Sequence, residues 1–359
     1  MANSIERYFD YAATSPLDRR VLDAMLPYLG EAFGNANSLH QFGYRAREAV
    51  ETARLQVARL LGAEDPSQII FTSGATEANN WLLQRFDGVA VSPFEHSSVY
   101  EPARQLSKLI LSPREFAEGL LRVPVNLISV MAVNNETGER WDARDWSGKG
   151  ALLHSDATQA VGKVPWTVDG LDFATCSAHK IYGPKGIGCL YFSTDPPETF
   201  IYGGEQENGH RGGTLNVPSI VGFGAAAAIA ADEREADFTQ AKQLRWAILD
   251  DLRTLSDVRV HENDKTSPFI MSISFAGVEG ETLLVEVDRL GFALSAGAAC
   301  SSRSNEPSHV LTAMGLEEEW RRGTVRISFG RHCTRDSAAA LARTLAQSVE
   351  KLRTMTSRQ

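Results

Sequence analysis

A lysine, a histidine, an aspartate and a cysteine stand out among the residues able to do chemistry. Lys180 lies in Ser177-Ala178-His179-Lys180-Ile181-Tyr182-Gly183-Pro184-Lys185-Gly186-Ile187-Gly188, after a strand-like run ending at Cys176 and before a glycine-rich segment. A lysine there is either a solvated charge or a buried amine of lowered pKa that can form a Schiff base with a carbonyl group. Other polar clusters follow short apolar runs: Ser73-Gly74-Ala75-Thr76, Glu95-His96, Asn134-Asn135-Glu136-Thr137-Gly138 and Asp156-Ala157-Thr158-Gln159. The first couples a strand, a small-residue turn and a helix start, whose free N–H groups and dipole attract an anion such as phosphate. Each residue also has an ordinary reading: Asp156 as a helix cap, His96 as a structural histidine, Asn135 as a turn residue.

Taken together they match the needs of pyridoxal 5'-phosphate. That cofactor wants a lysine for its carbonyl, a carboxylate for its ring nitrogen, a neutral donor for its ring hydroxyl, a flat side chain on its ring face and a phosphate cradle. Farther on, Cys300 sits in a run of small and polar residues, Ser295 to Ser308, with little to bury it and with Arg303 close by to favour a thiolate. It is either a tolerated loop cysteine or a reactive one. Arg326, on the expected strand Thr324–Phe329, is either a surface ion-pair residue or a rigid grip for a carboxylate.

Positioning these groups needs a sheet. Apolar runs at Ile69–Phe71, Val89–Val91, Leu127–Val133, Leu152–His154, Phe173–Cys176 and Gly188–Phe192 alternate with helical or loop segments. That alternation predicts an α/β domain with a mostly parallel sheet sandwiched by helices, ligands binding at the carboxyl ends of the strands. Ala46, Ala49, Val50, Ala53, Val57, Leu60 and Leu61 recur at helical spacing and stop at Gly62. Residues 219–255 read as one long helix or two joined ones. Phe269–Phe275 alternates like a half-buried antiparallel strand, and a closing helix is expected over 336–353. The expected domains are 15–233, carrying the cofactor, and a smaller α+β domain of 1–14 with 234–359.

The 359 residues carry a net charge of −9, which argues against a direct nucleic-acid partner. The longest apolar run, Ile220 to Ala231, is too short to span a bilayer. Cys176, Cys189, Cys300 and Cys333 are far apart, with no CxxC pair, so neither a metal site nor a disulfide framework is expected. Met1 to Asp10 shows no signal core or arginine-rich leader, and the cytoplasm is the expected compartment.

The order TSGATE, EH, VNNETG, HSDATQ, SAHKIYGPKGIG, RGGT, a cysteine loop and VRISFGR resembles the cysteine desulfurases, class-V members of the fold-type-I pyridoxal-phosphate enzymes. The likeness runs from Tyr8 to Arg331. It implies a homodimer that takes L-cysteine to L-alanine. Lys180 would be the Schiff-base lysine, Asp156 the ring-nitrogen partner, Gln159 the donor to the ring hydroxyl, and His96 the stacking, proton-moving residue. Ala75, Thr76, Ser177 and His179 would hold the phosphate, and Thr214 would reach the phosphate of the neighbouring subunit. Asn135 would face cofactor and substrate, Arg326 would bind the substrate carboxylate, and Cys300 would carry the sulfur as a persulfide to an acceptor protein. The long cysteine loop resembles the type that supplies iron–sulfur clusters. Other class-V activities (selenocysteine lyase or aminotransferase) and a non-catalytic sulfur-relay scaffold are the competing readings.

Four departures from the family pattern point to a specialised member, for example one serving tRNA or DNA thiolation. Ala36 interrupts the usual GNPSS, Ala178 replaces a common glycine, and the Gly88–Leu127 region is short. Glu205 and Asn208 alter the segment before Thr214, with a bearing on cofactor affinity.

Overall fold

The computed structural model describes residues 4–253, 255–296 and 308–356. Two compact units emerge: Ser15–Ala132 with Trp141–Arg234, and Met1–Thr14 with Val133–Arg140 and Glu235–Gln359. Residues 133–140, assigned to the cofactor domain from sequence, group with the second unit.

The first unit is built on seven strands: β1 (Ile69–Thr72), β2 (Val89–Val91), β3 (Leu109–Ile110), β4 (Leu127–Ser129), β5 (Leu152–Asp156), β6 (Phe173–Ser177) and β7 (Gly188–Phe192). Their order is β1-β7-β6-β5-β4-β2-β3. Only β7 runs against its neighbours, β1 and β6; the rest pair in parallel. The carboxyl ends of six strands therefore share one edge, as the α/β reading expected.

Both faces are covered. Val89 and Val91 of β2 enter one buried cluster with Ala78, Trp81, Leu82 and Leu83 of helix Ala75–Arg85 and with Val99 and Ala103 of helix Ser97–Gln105. Ala90, one residue between, faces Ile128, Leu153 and Trp146 in the other cluster. Successive side chains of a strand point to opposite faces, so these runs are apolar throughout. β4 is shorter than expected, because the chain leaves the ladder after Ser129 and Val133 returns only as a single bridge to Arg140. One continuous helix, Val217–Leu252, crosses the boundary between the units in sequence.

Among its described residues the second unit holds four antiparallel strands, β8 (Val258–His261), β9 (Ile270–Phe275), β10 (Ser295–Ala296) and β11 (Thr324–Ser328), in the order β10-β11-β9-β8. The N-terminal arm threads into this sheet: Phe9 N donates to Ala293 O at 2.9 Å and Ser328 N donates to Phe9 O at 2.8 Å. β9 is not half-buried as its alternation predicted; all its residues are buried. Ser274 is tolerated inside because it finds partners, its Oγ meeting His261 Nε2 at 2.6 Å and Thr324 Oγ1 at 2.7 Å, whereas Ser272 Oγ has no hydrogen-bond partner among the described residues. Helix Arg335–Thr356 closes the unit.

Candidate active site

Lys180 ends a single 3-10 turn, Ala178–Lys180, that follows β6 directly. The turn is pinned from both sides. Ala178 N donates to Ile187 O at 3.1 Å and Gly183 N donates to Ala178 O at 3.0 Å. Ser15 supplies the other anchor: its N–H and hydroxyl donate to His179 O at 3.0 and 2.8 Å, and its Oγ accepts from Tyr182 N at 2.8 Å. Tyr182 is thereby held at φ 64°, a conformation costly for a residue with a Cβ. Lys180 is partly buried. Burial, with the charges of Lys180, Lys163 and Lys185, pushes the neighbouring His179 down to about 3, so that imidazole is neutral beside a cluster of ammonium groups.

The turn of residues 73–76 lies on the same strand edge. Gly74 precedes helix Ala75–Arg85 and offers no side-chain cap. Ser177 Oγ, at the end of β6, instead accepts from Ala75 N at 2.8 Å. β7 starts against this turn: a Cβ on Gly188 would stand 2.4 Å from Cys176 O and 2.7 Å from Gly74 Cα, so only glycine permits the approach. Thr76 is exposed at the helix start.

Glu77 in that first turn is bound by Arg211, Nε to Oε1 at 3.0 Å and NH2 to Oε2 at 3.2 Å, and accepts from Ser73 N at 2.9 Å. Burial alone would raise its carboxyl, but these bonds hold it below the usual range. Arg211 thus ties the segment carrying Thr214 to the turn of residues 73–76. Glu207 ties it to β1, accepting from Arg54 NH1 and NH2 at 2.8 and 3.0 Å and from Phe71 N at 2.9 Å. The two family departures there, Glu205 and Asn208, are both exposed, as is Thr214.

Asp156 ends β5, and its backbone pairs with Thr175 on β6, five residues before Lys180. It is 3% exposed. Oδ1 accepts from Thr158 N at 3.0 Å and Oδ2 from Asn79 Nδ2 at 2.8 Å. Thr158 Oγ1 is buried and has no hydrogen-bond partner among the described residues. Gln159 accepts at Oε1 from Lys163 Nζ at 2.9 Å, which fixes its amide with Nε2 as the donor end. His96 caps helix Ser97–Gln105: its Nδ1 accepts from Ser98 N at 3.1 Å and meets Ser98 Oγ at 2.8 Å. Glu95 beside it is fully buried; burial and the Asp156 charge push its carboxyl up to about 8, against bonds from Met131 N and Ser92 Oγ.

Asn135 and Arg326 meet in the second unit. Arg326 on β11 is 1% exposed. Its NH1 donates to Asn135 O at 2.7 Å and its NH2 to Asp10 Oδ1 at 2.8 Å, so it is no surface cation. Asn135 Oδ1 is buried with no hydrogen-bond partner among the described residues. Asn134 shapes this turn by accepting from Glu136 N and Thr137 N. Cys300 and Arg303 lie outside the described residues. Cys176, Cys189 and Cys333 are buried free thiols, and no group of metal-ligating side chains occurs among the described residues.

Sequence reasoning missed Asn79, Ser15, Lys163 and Glu207. Asn79 had one signal, a polar residue within the helix stretch that holds Ala78, Trp81, Leu82 and Leu83.

Residues 7–341 match the class-V aminotransferase family. Cysteine desulfurase IscS 1 of Archaeoglobus fulgidus is 38% identical over 97% of this chain and 98% of its own. Among solved structures, a NifS-like protein superposes with a TM-score of 0.88 at 32% identity, covering 97% of this chain and 100% of its own. SspA in complex with cysteine gives 0.78 at 31% identity, covering 91% and 100%.

Proposed function

This chain belongs to the cysteine desulfurases, a pyridoxal-phosphate-dependent group of the class-V aminotransferases, and we propose that it converts L-cysteine to L-alanine and hands the sulfur to an acceptor protein. One observation carries the reading. A buried carboxylate, Asp156, and a lysine turn stand at the carboxyl ends of adjacent parallel strands, and Ser177 of the same β6 end holds the start of helix Ala75–Arg85.

The residues present fit pyridoxal phosphate. Asp156 is buried with both oxygens accepting, as a partner for a protonated ring nitrogen must be. The unpartnered Thr158 hydroxyl and the donor end of Gln159 offer polar contacts beside it. Ala75, Thr76, Ser177 and His179 would cradle the phosphate, and Lys180 would hold the carbonyl carbon. When bound, the cofactor supplies an electron sink that weakens bonds at the substrate α-carbon. Lys180 and His96 move the protons, His96 also covering the ring face. Asn135 and Arg326 hold the substrate carboxylate. The Cys300 thiolate accepts the sulfur: L-cysteine and one thiol become L-alanine and one persulfide, so atoms and electrons balance without an added oxidant.

The relative solved with cysteine supports that substrate. Exposed Thr214, and exposed apolar Phe33, Leu39 and Phe42, support a homodimer in which Thr214 serves the neighbouring site. Free thiols fit a reducing cytoplasm. No helix of the described residues is long and apolar enough to cross a membrane. The acceptor is a protein of iron–sulfur cluster assembly or of tRNA or DNA thiolation. The names of the relatives do not favour selenocysteine lyase, aminotransferase or scaffold roles.

The test is a visible spectrum of the cofactor-loaded protein followed by L-cysteine. A band lost in Lys180→Ala, alanine formed one-for-one with sulfur, and a persulfide absent in Cys300→Ser support the reading. A wild-type protein that binds no pyridoxal phosphate overturns it.

A further inference from the structure

Asn79 is fully buried on helix Ala75–Arg85. Its Nδ2 donates to Asp156 Oδ2 at 2.8 Å and to Ser98 Oγ at 2.9 Å, and its Oδ1 accepts from Thr175 Oγ1 at 2.6 Å. The amide has one permissible orientation, because the flipped one would set Oδ1 against a carboxylate oxygen. Every further hydrogen then follows. Ser98 N donates to His96 Nδ1 at 3.1 Å, which makes Nδ1 an acceptor, so Ser98 Oγ accepts from Asn79 and sends its own hydrogen to Nδ1 at 2.8 Å. The hydrogen of a neutral His96 ring therefore resides on Nε2.

On the other side Thr175 Oγ1 has given its hydrogen to Asn79 and accepts from His154 Nε2 at 3.3 Å. Ser129 Oγ donates to His154 Nδ1 at 2.9 Å. His154 is neutral, since burial, partly opposed by the Asp156 charge, takes it down to about 4. Six side chains from Ser129 to His96 thus form a hydrogen-bond chain of single polarity, with Asn79 at its branch.

We propose that Asn79 is a positioning residue of the cofactor site: one buried carboxamide fixes the Asp156 carboxylate and, through Ser98, braces His96. The proposal rests on the reading above, in which Asp156 meets the ring nitrogen and His96 the ring face. An aspartate at position 79 can replace the carboxamide only while protonated, since two carboxylates at this distance cannot both ionise.

The experiment measures the dissociation constant of pyridoxal 5'-phosphate by absorbance titration across pH 6 to 9, for the wild-type protein, Asn79→Leu, Asn79→Asp, Asp156→Asn and Asn79→Leu/Asp156→Asn. Thermal melts confirm folding. Asn79→Leu should weaken binding about tenfold at every pH, the scale of one hydrogen bond to a charged group. Asn79→Asp should bind nearly as well as wild type at low pH and lose affinity as pH rises, a profile that a merely structural role would not produce. In the double variant the Asn79 effect should largely disappear, because it acts through Asp156. Folded Asn79 variants that bind as the wild type does at every pH overturn the proposal, as does a fully additive double variant.

If the Asn79 variants do not fold, Thr175→Val releases the carboxamide from its lock and should weaken binding severalfold; unchanged affinity there overturns the proposal. A wild type without affinity, or an Asp156→Asn variant indistinguishable from it, overturns instead the cofactor reading on which the proposal rests.

Discussion

Arg326 NH2 and Asp10 Oδ1 lie 2.8 Å apart, across 316 residues of chain, with the arginine side chain 2% exposed. The pair joins the N-terminal arm to β11 in the second unit, where Ser328 N also holds Phe9 O. A guanidinium held by Asp10 and by Asn135 O is fixed in orientation, which would lower the ordering cost of binding a second carboxylate.

Arg326→Lys should therefore raise KM for L-cysteine at least about tenfold, since an ammonium cannot reproduce the planar fork and each tenfold is ~1.4 kcal/mol. The cofactor band should be unchanged. Steady-state kinetics and a visible spectrum on one preparation check both. An unchanged KM would remove Arg326 from substrate binding.

Glu95 makes the chain's stability depend on pH. Its folded pKa, about 8, lies above its ordinary value of 4.5. Stability from this group is therefore full below pH 4.5 and is lost as pH rises through 8. Glu95→Gln keeps the acceptor for Met131 N and Ser92 Oγ but cannot ionise. It should be more stable than wild type by roughly 4 kcal/mol at pH 8, with the gap falling below about 1 kcal/mol near pH 5. Urea unfolding at the two pH values reads this directly, and an equal gap at both would contradict it.

Glu207 holds the segment before Thr214 through Arg54 and Phe71 N. Glu207→Ala leaves Arg54 buried without that partner, although Glu51 and Ile69 O remain. The expected loss is about 3 kcal/mol, the low end for a broken buried ion pair. Chemical denaturation measures it. Cofactor affinity should fall as well, because Arg211 and Thr214 follow on the loosened segment. By contrast Glu205→Gly should change stability little, its side chain being exposed.

Much of this was legible in the sequence because a parallel sheet gathers successive carboxyl ends on one edge. Ser73 to Thr76 and Asp156 to Gln159 are separated along the chain by strands and helices, Gln159 and Ser177 by turns and β6, and the order alone places them together. The bracing was not legible. Asn79 meets Asp156 at the end of β5 only because helix Ala75–Arg85 packs over β6 and β7 at one register, which spacing along the chain does not encode. Ser15 reaches His179 across 164 residues in the same way. At Ile270–Phe275 the alternation misled: Ser274, with hydroxyl and imidazole partners, and Ser272, without one among the described residues, are both buried as fully as the apolar residues around them.

The most direct measurement is where the cofactor attaches. The protein loaded with pyridoxal 5'-phosphate is reduced with borohydride, digested and mapped by mass spectrometry, while an unreduced portion is assayed for alanine from L-cysteine. The account predicts a single phosphopyridoxyl adduct on Lys180, none on Lys163 or Lys185, and alanine formation that Lys180→Ala abolishes. An adduct on another lysine, or a Lys180→Ala protein that still makes alanine, would contradict it.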